Sequence, residues 1–267
     1  MALASASMSD REAAFLELVI LGAGPAYSDL PGSLGSGYLV RTRAAAIALD
    51  LGQGCFPGLA SRHDPAALDA VFVSHLHPDH YIDLIPLRHF LRRPGAEAPA
   101  PLVLHAAAGL AERLDATFDL PGFSAAAFDH RDLVPGSVES PAFHMEVAAV
   151  RHSGDSFAFR VARSQGGPGT VYSGDVADIE DIRPLLVDGD LLLVEATLGP
   201  GPVPEGIPHL DGVMVGRLAE ETSAGQVVVT HVRMGMDLDA TLAAVRRSYG
   251  GPLSLATPSA RYLVAAA

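Results

Sequence analysis

The sequence predicts an α/β fold, a four-layer αββα sandwich in which two mixed β-sheets pack face to face and helices cover their outer sides. In each half of the 267-residue chain, a run of apolar strands comes first and strand–helix alternation follows. No Gly/Ser tract or charge run divides the two halves. We therefore expect one domain over residues 14–267, preceded by a disordered lead over residues 1–13.

The first half shows short apolar runs separated by turn residues, which predict strands, and helical apolar patterns after them. Pro94 and Gly95 are expected to end the first helix, because proline cannot continue one. The elements predicted in this half are strands over 15–22, 37–42, 44–50, 70–75 and 101–105, and helices over 81–93 and 106–118.

The second half repeats this organisation, with three strands before its first helix. Apolar runs such as "DLLLVEAT" and "QVVVTH" indicate the strands that alternate with helices further on. The elements predicted here are strands over 143–152, 156–162, 169–175, 190–197, 226–231 and 252–256, and helices near 178–187, 209–223 and 238–249.

The charge balance argues against a long polyanionic partner. The net charge is −13, all eighteen basic residues are arginine, and the one local basic cluster is Arg88, Arg92 and Arg93. Proteins that hold a nucleic-acid backbone usually carry a basic stripe. A small phosphate ester remains compatible with this composition, because a metal centre could neutralise its charge.

The composition also indicates the cellular compartment in which the protein is expected. No apolar run approaches the about 18 residues that span a bilayer, and the first residues do not have the pattern of an export signal. The single cysteine, Cys55, excludes an internal disulfide framework and fits a reducing compartment. We therefore expect a cytoplasmic protein with no membrane association.

The stretch "SHLHPDH" brings three of the eleven histidines and one aspartate within six positions, directly after an apolar strand. Residues two apart in an extended loop point to the same side, so His75 and His77 can reach one metal ion together. Asp79 and His80 follow the turn at Pro78 and can be aimed at a second point. Imidazole and carboxylate are ligands that zinc, iron and manganese accept. A histidine-rich surface turn is the alternative, but this density of ligands favours a metal site.

Further ligands are expected from other strand ends. His152, Asp175 and His231 each close a predicted apolar strand. One such residue alone would be interpreted as a solvated loop residue. Three together, on loops that converge at one edge of a sandwich, favour a shared site.

These motifs resemble the metallo-β-lactamase-fold hydrolases, for which "SHLHPDH" is the signature. The segments "VRHSGDSFAFRV", "VYSGDVAD", "LLLVEAT" and "VVVTH" extend the resemblance over nearly the whole chain. It is closest to the ribonuclease Z-like branch and its small phosphodiesterase relatives. The resemblance implies two divalent metal ions, zinc first, with manganese or iron as alternatives. The residues that it implies as ligands are His75, His77 and His152 for one ion, Asp79, His80 and His231 for the other, and Asp175 as the bridge.

Glu195 ends an apolar strand, where an unpaired carboxylate is costly to bury. In the ribonuclease Z-like branch the corresponding segment is His-Glu-Ala-Thr, and its glutamate pairs with a downstream histidine near the scissile phosphate. Here Val194 replaces the leading histidine, and His209 in "GIPHLDG" is the expected partner, at the start of a helix. The pair would then assist the leaving group. A purely structural carboxylate and a helix-start histidine are the alternative.

The expected function is a phosphodiesterase acting on a small phosphodiester, with a cyclic nucleotide as the best single candidate. The expected nucleophile is a hydroxide between the two metal ions beside Asp175, and Asp79, Asp175, Glu195 and His209 are the expected catalytic residues. Ribonuclease Z enzymes insert a long tRNA-binding arm between the segments that hold His152 and Asp175. Only twenty-two residues separate them here, which weighs against tRNA 3′ processing.

Two further alternatives stay open. The same metal pair could hydrolyse a carboxylic ester, lactone or thioester, since one fold hosts many chemistries. The chain could also be a binding or regulatory protein that keeps the metals without turnover. The resemblance suggests a homodimer, and the roles of His105 and Arg233 are left undecided between pocket and solvated or packed positions.

Overall fold

The computed structural model describes residues 16–29, 33–95, 100–138, 140, 142–163 and 165–264. The lead predicted over 1–13 lies outside the described residues. The chain forms two seven-stranded mixed sheets. Within the described part we find no helix with the length and apolar character that a membrane crossing requires.

The first sheet contains the strands of the first half and one strand from the end of the chain. Its order is β14-β1-β2-β3-β4-β5-β6, antiparallel from β14 to β3 and parallel from β3 to β6. The strands are β1 (Leu16–Ala23), β2 (Ser36–Arg41), β3 (Ala46–Leu51), β4 (Ala70–Phe72), β5 (Leu102–Ala106), β6 (Phe128–Asp132) and β14 (Arg261–Val264).

The second sheet has the same plan. Its order is β13-β12-β11-β10-β9-β8-β7, antiparallel from β7 to β10 and parallel from β10 to β13. The strands are β7 (Gly136–Val138), β8 (His144–Val150), β9 (Ser156–Ala162), β10 (Gly169–Tyr172), β11 (Leu191–Glu195), β12 (Gln226–Thr230) and β13 (Leu253–Leu255).

The helices are short, and three of them begin at aspartate caps, of which Asp178 is the first along the chain. The side chain of Asp211 accepts a hydrogen bond from the Met214 amide, and that of Asp237 accepts one from the Ala240 amide. The helices are α1 (Cys55–Ala60), α2 (Pro78–Tyr81), α3 (Leu84–Leu91), α4 (Leu110–Thr117), α5 (Ile179–Ile182), α6 (Gly212–Glu221) and α7 (Leu238–Val245), with single 3₁₀ turns at Pro65–Ala67 and Arg183–Leu185.

Three apolar layers hold these elements together. Side chains of both sheets form the central layer, where Tyr38 packs on Tyr172 and Phe72 on Phe159, with ring centroids 4.8 and 5.7 Å apart. The outer face of the first sheet packs on α1 to α4, and the outer face of the second packs on α5 to α7. Strands β1 to β5 and β9 to β12 therefore bury nearly all their side chains, which explains why they are continuous apolar runs rather than alternating patterns. The outer strands β6, β7, β8, β13 and β14 are partly exposed. The predicted four-layer αββα sandwich is confirmed.

Several predicted boundaries were wrong for local reasons. The helix expected over 209–223 begins at Gly212, because Asp211 caps it, so His209 lies in the preceding loop. The helix expected over 81–93 is two helices, since Pro78 starts α2 and a break follows Tyr81. Strand β4 ends at Phe72, which places the histidine cluster on a longer loop than expected. The helix α1 and the strands β6, β7 and β14 were not predicted, because their segments are short or rich in polar residues.

Candidate metal centre

The loops at one edge of both sheets bring all seven predicted metal ligands together. The stretch from His75 to His80 follows β4, His152 follows β8, Asp175 follows β10 and His231 follows β12. The side chains form two groups of closely spaced nitrogen and oxygen atoms. The members are His75, His77, His152 and Asp175 in the first group, and Asp79, His80 and His231 in the second.

In the first group, three ring nitrogens face one carboxylate oxygen. The Nε2 atom of His75 lies 2.9 Å from Nδ1 of His77, and Nε2 of His152 lies 3.4 Å from the same Nδ1 atom. The Oδ2 atom of Asp175 lies 3.8 Å from Nε2 of His75 and 3.7 Å from Nε2 of His152. These four side chains converge on one point.

In the second group, the other oxygen of the same carboxylate takes part. The Oδ1 atom of Asp175 lies 3.6 Å from Nε2 of His80 and 3.6 Å from Nε2 of His231. The Oδ2 atom of Asp79 lies 3.6 Å from Nε2 of His80 and 3.3 Å from Nε2 of His231. Asp175 thus stands between the two groups, with one oxygen directed to each.

Each of the five histidines directs one ring nitrogen into the centre and has its other nitrogen beside a hydrogen-bond acceptor. When the rings are neutral, the Asp50 carboxylate and the Pro208 carbonyl fix the tautomer of His80 and His152 in which the inward nitrogen carries a lone pair. The hydroxyl partners of the other three rings are compatible with the same tautomer. The acceptors are Ser74 Oγ for His75 (3.1 Å), Ser153 Oγ for His77 (3.3 Å), Asp50 Oδ2 for His80 (2.7 Å), the Pro208 carbonyl for His152 (3.0 Å) and Thr197 Oγ1 for His231 (3.0 Å).

The donor set fits divalent metal ions. The Nε2 atom of His80 and the Oδ1 atom of Asp175 are buried without a hydrogen-bond partner, which is costly unless a cation meets them. Ligands about 2.0–2.1 Å from a tetrahedral zinc ion are about 3.3 Å apart, close to the spacings in both groups. Two sets of imidazole and carboxylate atoms that share one carboxylate could therefore hold two ions.

The electrostatics of the centre favour the ligand forms of His75 and Asp175 but favour a proton on His80. Burial, reinforced by His80, lowers the pKa of His75 well below its usual range, so its ring stays neutral. Burial would raise the pKa of Asp175, but the neighbouring His231 and His80 outweigh it and hold that pKa well below its usual range. Burial opposes a charge on His80 too, yet Asp175 and Asp50 raise its pKa, so a metal ion at this ring would displace a proton.

Asp50 was missed by the sequence reasoning. It is fully buried at the end of β3 and accepts hydrogen bonds from the Ser74 amide (2.6 Å), Ser74 Oγ (2.8 Å), the Tyr172 hydroxyl (2.7 Å) and His80 Nδ1 (2.7 Å). It therefore orients His80 from behind. The signal was present, because "AIALD" ends an apolar strand with a carboxylate, as "VYSGD" does.

Backbone conformation also marks the centre. Asp50 and His231 both adopt a left-handed backbone, with φ of 55° and 56°, a conformation that side-chain-bearing residues rarely occupy. Gly52 serves a related purpose, because a Cβ atom there would lie 1.8 Å from the carbonyl oxygen of Asp79. The loop after β3 can approach Asp79 this closely only with glycine at that position.

The predicted pairing of Glu195 with His209 is present in the structure. The Nδ1 atom of His209 lies 2.8 Å from Oε1 of the fully buried Glu195, which also accepts hydrogen bonds from the amides of Val176 and Thr197. Burial would lower the pKa of His209, but the hydrogen bond and charge of Glu195 outweigh it and raise that pKa. His209 therefore holds a proton to a higher pH than a free imidazole does.

A cavity of about 450 Å³ opens over the centre. His77, Asp79, Asp175, His209 and His231 line it, and Arg233 belongs to its wall. His105 does not line it. Its ring stacks on Phe72, with ring centroids 4.5 Å apart and planes 10° from parallel, so His105 is a packing residue of the first sheet.

The position of His105 predicts a pH-dependent loss of stability. Burial, together with Arg131, lowers the pKa of His105 to about 4, whereas the unfolded chain binds the proton near pH 6.5. The stabilisation is complete above pH 6.5 and is lost as the pH falls to about 4, at about 1.4 kcal/mol per pH unit. Urea unfolding of His105→Phe, which keeps the stacking, should show a shallower decline between pH 7.5 and 5 than the wild type. Parallel declines in the two proteins would contradict the assignment.

The fold and this site define the class of the protein. A family model described as a β-lactamase superfamily domain matches residues 49–232, more than half of the chain, and the chain belongs to this superfamily. The family resemblance expected from the histidine motif is thereby confirmed. The chain is therefore a metal-dependent hydrolase by class, and its fold implies divalent metal ions.

Two bacterial proteins are similar to this chain in sequence, and the structure of one of them is similar in fold. An uncharacterized protein of Mycobacterium leprae is 28% identical over 229 residues, covering 84% of this chain and 80% of that protein. The probable metallo-hydrolase YhfI of Bacillus subtilis is 26% identical over 202 residues, covering 74% of this chain and 79% of that protein. Its crystal structure superimposes with a TM-score of 0.81 at 19% identity, over 93% of this chain and 99% of that one.

The human short-form tRNase Z is similar in fold. It superimposes with a TM-score of 0.73 at 20% identity and covers 93% of this chain and 99% of that chain. At this identity the likeness concerns the fold alone. The expected relation to the ribonuclease Z-like branch is therefore confirmed as a relation of fold.

Proposed function

We propose that this protein is a metal-dependent phosphodiesterase that acts on a small phosphodiester, with a cyclic nucleotide as the first candidate. The observation that carries the proposal is the Glu195–His209 pair beside Asp175, because His209 lines the same cavity as the metal centre. An alkoxide is a poor leaving group, so its departure gains most from a nearby proton donor. Ester and lactone hydrolysis also expels an alkoxide, but the collapse of its tetrahedral intermediate drives that departure, so it depends less on such a donor.

Seven residues would hold two divalent ions, for which zinc is the first candidate and manganese and iron are alternatives. When bound, such a pair lowers the pKa of water and stabilises negative charge on a phosphoryl oxygen. The proposed ligands are His75, His77 and His152 in one set, Asp79, His80 and His231 in the other, and Asp175 shared between them.

The proposed acid is His209. Its Nδ1 atom bonds to Glu195, which leaves Nε2 to hold a proton for the departing oxygen. As the water oxygen forms a bond to phosphorus and the bond to the leaving oxygen breaks, that proton passes from Nε2 to the leaving oxygen. The attacking water releases one proton to solvent, and Nε2 takes up a proton from solvent before the next turnover. Glu195 keeps the ring oriented and stabilises its charged form. The proposed reaction forms a hydroxyl group and a phosphate monoester, which for a cyclic nucleotide belong to one product, a nucleoside monophosphate.

A tRNA substrate is less well supported. The turn between β9 and β10, where an arm would be inserted, spans only residues 163–168. Asp190 closes its base, accepting hydrogen bonds from Arg160 Nε (2.8 Å) and the Gly169 amide (2.6 Å). A connection of only six residues, 163–168, offers little surface for a folded RNA. The cytoplasmic location, the absence of a membrane partner and a homodimer stay predictions.

A substrate panel on one metal-loaded preparation tests the proposal. We expect hydrolysis of bis(p-nitrophenyl) phosphate and of a 3′,5′- or 2′,3′-cyclic nucleotide, with little or no cleavage of a tRNA precursor or a lactone. Turnover of the lactone alone would overturn the phosphodiesterase proposal in favour of ester hydrolysis. Preferred cleavage of the tRNA precursor would support the endoribonuclease alternative, and tight metal binding without any turnover would support a binding protein.

The same panel tests the acid. His209→Ala should slow the cyclic nucleotide by about 10²- to 10⁴-fold but bis(p-nitrophenyl) phosphate far less, because p-nitrophenolate leaves without a proton. His144→Ala is the matched control, since His144 also pairs with a carboxylate, Glu146, at 2.9 Å but does not line the cavity. Equal slowing of both substrates by His209→Ala would remove its role as the acid.

A further inference from the structure

We propose that Arg233 is the residue through which this cavity selects an anionic phosphorus ester over a neutral ester. Its guanidinium would bind a non-bridging oxygen of the substrate phosphoryl group. This inference rests on the proposed phosphodiesterase function and adds a substrate-binding residue to it. Neither the histidine motif nor the Glu195–His209 pair assigns a role to Arg233.

The backbone of Arg233 is fixed next to the metal centre. Its amide donates a hydrogen bond to the Thr197 carbonyl at 3.1 Å, and Thr197 Oγ1 lies 3.0 Å from Nδ1 of His231. Thr197 therefore holds both His231 and the residue two positions later. The carbonyl of Arg233 in turn accepts a hydrogen bond from the Met236 amide at 3.1 Å. The side chain thus starts from a defined point in the wall of the cavity.

The charge of Arg233 is not neutralised within the described residues. Six of the seventeen described arginines form ion pairs with carboxylates, and the half-buried Arg233 is among the eleven that form none. The two carboxylates that line the cavity, Asp79 and Asp175, face histidine nitrogens instead. In a chain with a net charge of −13, an arginine without a carboxylate partner at a reaction cavity is suited to an anionic ligand.

The rest of the cavity wall shows where the uncharged part of a ligand would lie. Tyr27 and Ile207 belong to this wall and are 60% and 41% exposed, respectively. Among the described residues that line the cavity, Arg233 is the only arginine, and none is a lysine. A ligand with one anionic group and an apolar or aromatic ester group would therefore find a partner for each part.

The chemistry of the guanidinium makes the selection. A phosphodiester carries one negative charge spread over two non-bridging oxygens, which a planar guanidinium can bind through two parallel N–H groups. A lactone or carboxylic ester has a single neutral carbonyl oxygen and would leave the guanidinium without a counter-charge. Arg233 therefore favours the phosphodiester in binding, before any bond is broken.

Binding of phenylphosphonate to the metal-loaded protein tests this inference, because the carbon–phosphorus bond of this anion is not a hydrolysable ester. Titration calorimetry should give a dissociation constant about 10- to 100-fold higher for Arg233→Met than for the wild type, with unchanged metal content. Arg233→Lys should recover part of the loss. Arg247→Met is the matched control, since Arg247 is exposed and does not line the cavity, and should bind as the wild type does.

Two results would overturn the inference: equal affinity of Arg233→Met and wild type for phenylphosphonate, or no binding by the wild type. The proposed function fails separately. If the protein hydrolyses only carboxylic esters and Arg233→Met still loses affinity for phenylphosphonate, the anion site stands and the phosphodiesterase proposal falls. If phosphodiesters are hydrolysed but Arg233→Met binds normally, the function stands and Arg233 is a solvated loop residue.

Discussion

Replacing Asp175 with alanine is expected to remove bound metal from both ligand sets and to lower phosphodiester hydrolysis by about 10³-fold or more. The reason is geometric, because the two oxygens of this one carboxylate face different sets of histidines, at 3.6 to 3.8 Å. Each set loses an anionic ligand when the side chain is truncated. Bound metal ions stabilise the charge of a transition state by several kcal/mol. Since about 1.4 kcal/mol of activation free energy changes the rate tenfold, loss of the metal should lower the rate by several orders of magnitude.

Elemental analysis of purified protein checks this prediction, with about two ions per chain expected for the wild type. Asp188→Ala is the control, because Asp188 is exposed and lies between α5 and β11, outside the ligand sets. A full complement of metal in Asp175→Ala would contradict the shared-ligand assignment. Loss of one ion only would show that the carboxylate serves one set.

Replacing Asp50 with asparagine is expected to weaken metal binding by about 10- to 100-fold, although Asp50 is not among the proposed ligands. Asparagine keeps the shape of the side chain and one acceptor oxygen. Its amide nitrogen, in the place of Oδ2, can accept a hydrogen bond neither from His80 nor from the Tyr172 hydroxyl. His80 then loses the partner that fixes its ring. The unsatisfied buried donor should also cost about 1–3 kcal/mol of unfolding free energy.

Competition with a metal-binding dye measures the affinity, and urea unfolding measures the stability. Asp190→Asn supplies the matched control, since Asp190 is also fully buried and accepts several hydrogen bonds, including those from Arg160, but belongs to neither ligand set. That control should lose stability without losing metal affinity. Unchanged metal affinity in Asp50→Asn would refute the orienting role of Asp50.

The fold could be predicted because most of its strands, β1 to β5 and β9 to β12, are buried on both faces, so apolar runs such as "QVVVTH" mark them directly. The ligand set could be predicted because the chain places its polar side chains immediately after those runs. Glu195 followed from the same logic, since a carboxylate at the end of an apolar strand needs a partner. Sequence alone could not give the position of His209 in a loop, because the aspartate cap two residues later decides where α6 begins.

Other parts depended on contacts that are distant in the sequence. Asp50 lies 30 residues from His80 and 122 from Tyr172, and no local pattern connects them. His105 ends its strand like a ligand would, yet the aromatic stacking on Phe72 buries it in the sheet. The absence of an ion pair at Arg233 likewise appears only when the neighbouring loops are in place.

The left-handed backbone at Asp50 and His231 lowers the stability of the folded protein, while the side chains at these positions serve the metal centre. Such conformations cost of order 1–3 kcal/mol each and persist only where the surrounding packing imposes them. Glycine at either position would relax the backbone while deleting a functional side chain. Evolution under selection for thermal resistance alone would therefore tend to erase the two positions, and their retention would require continued selection for the chemistry that they serve.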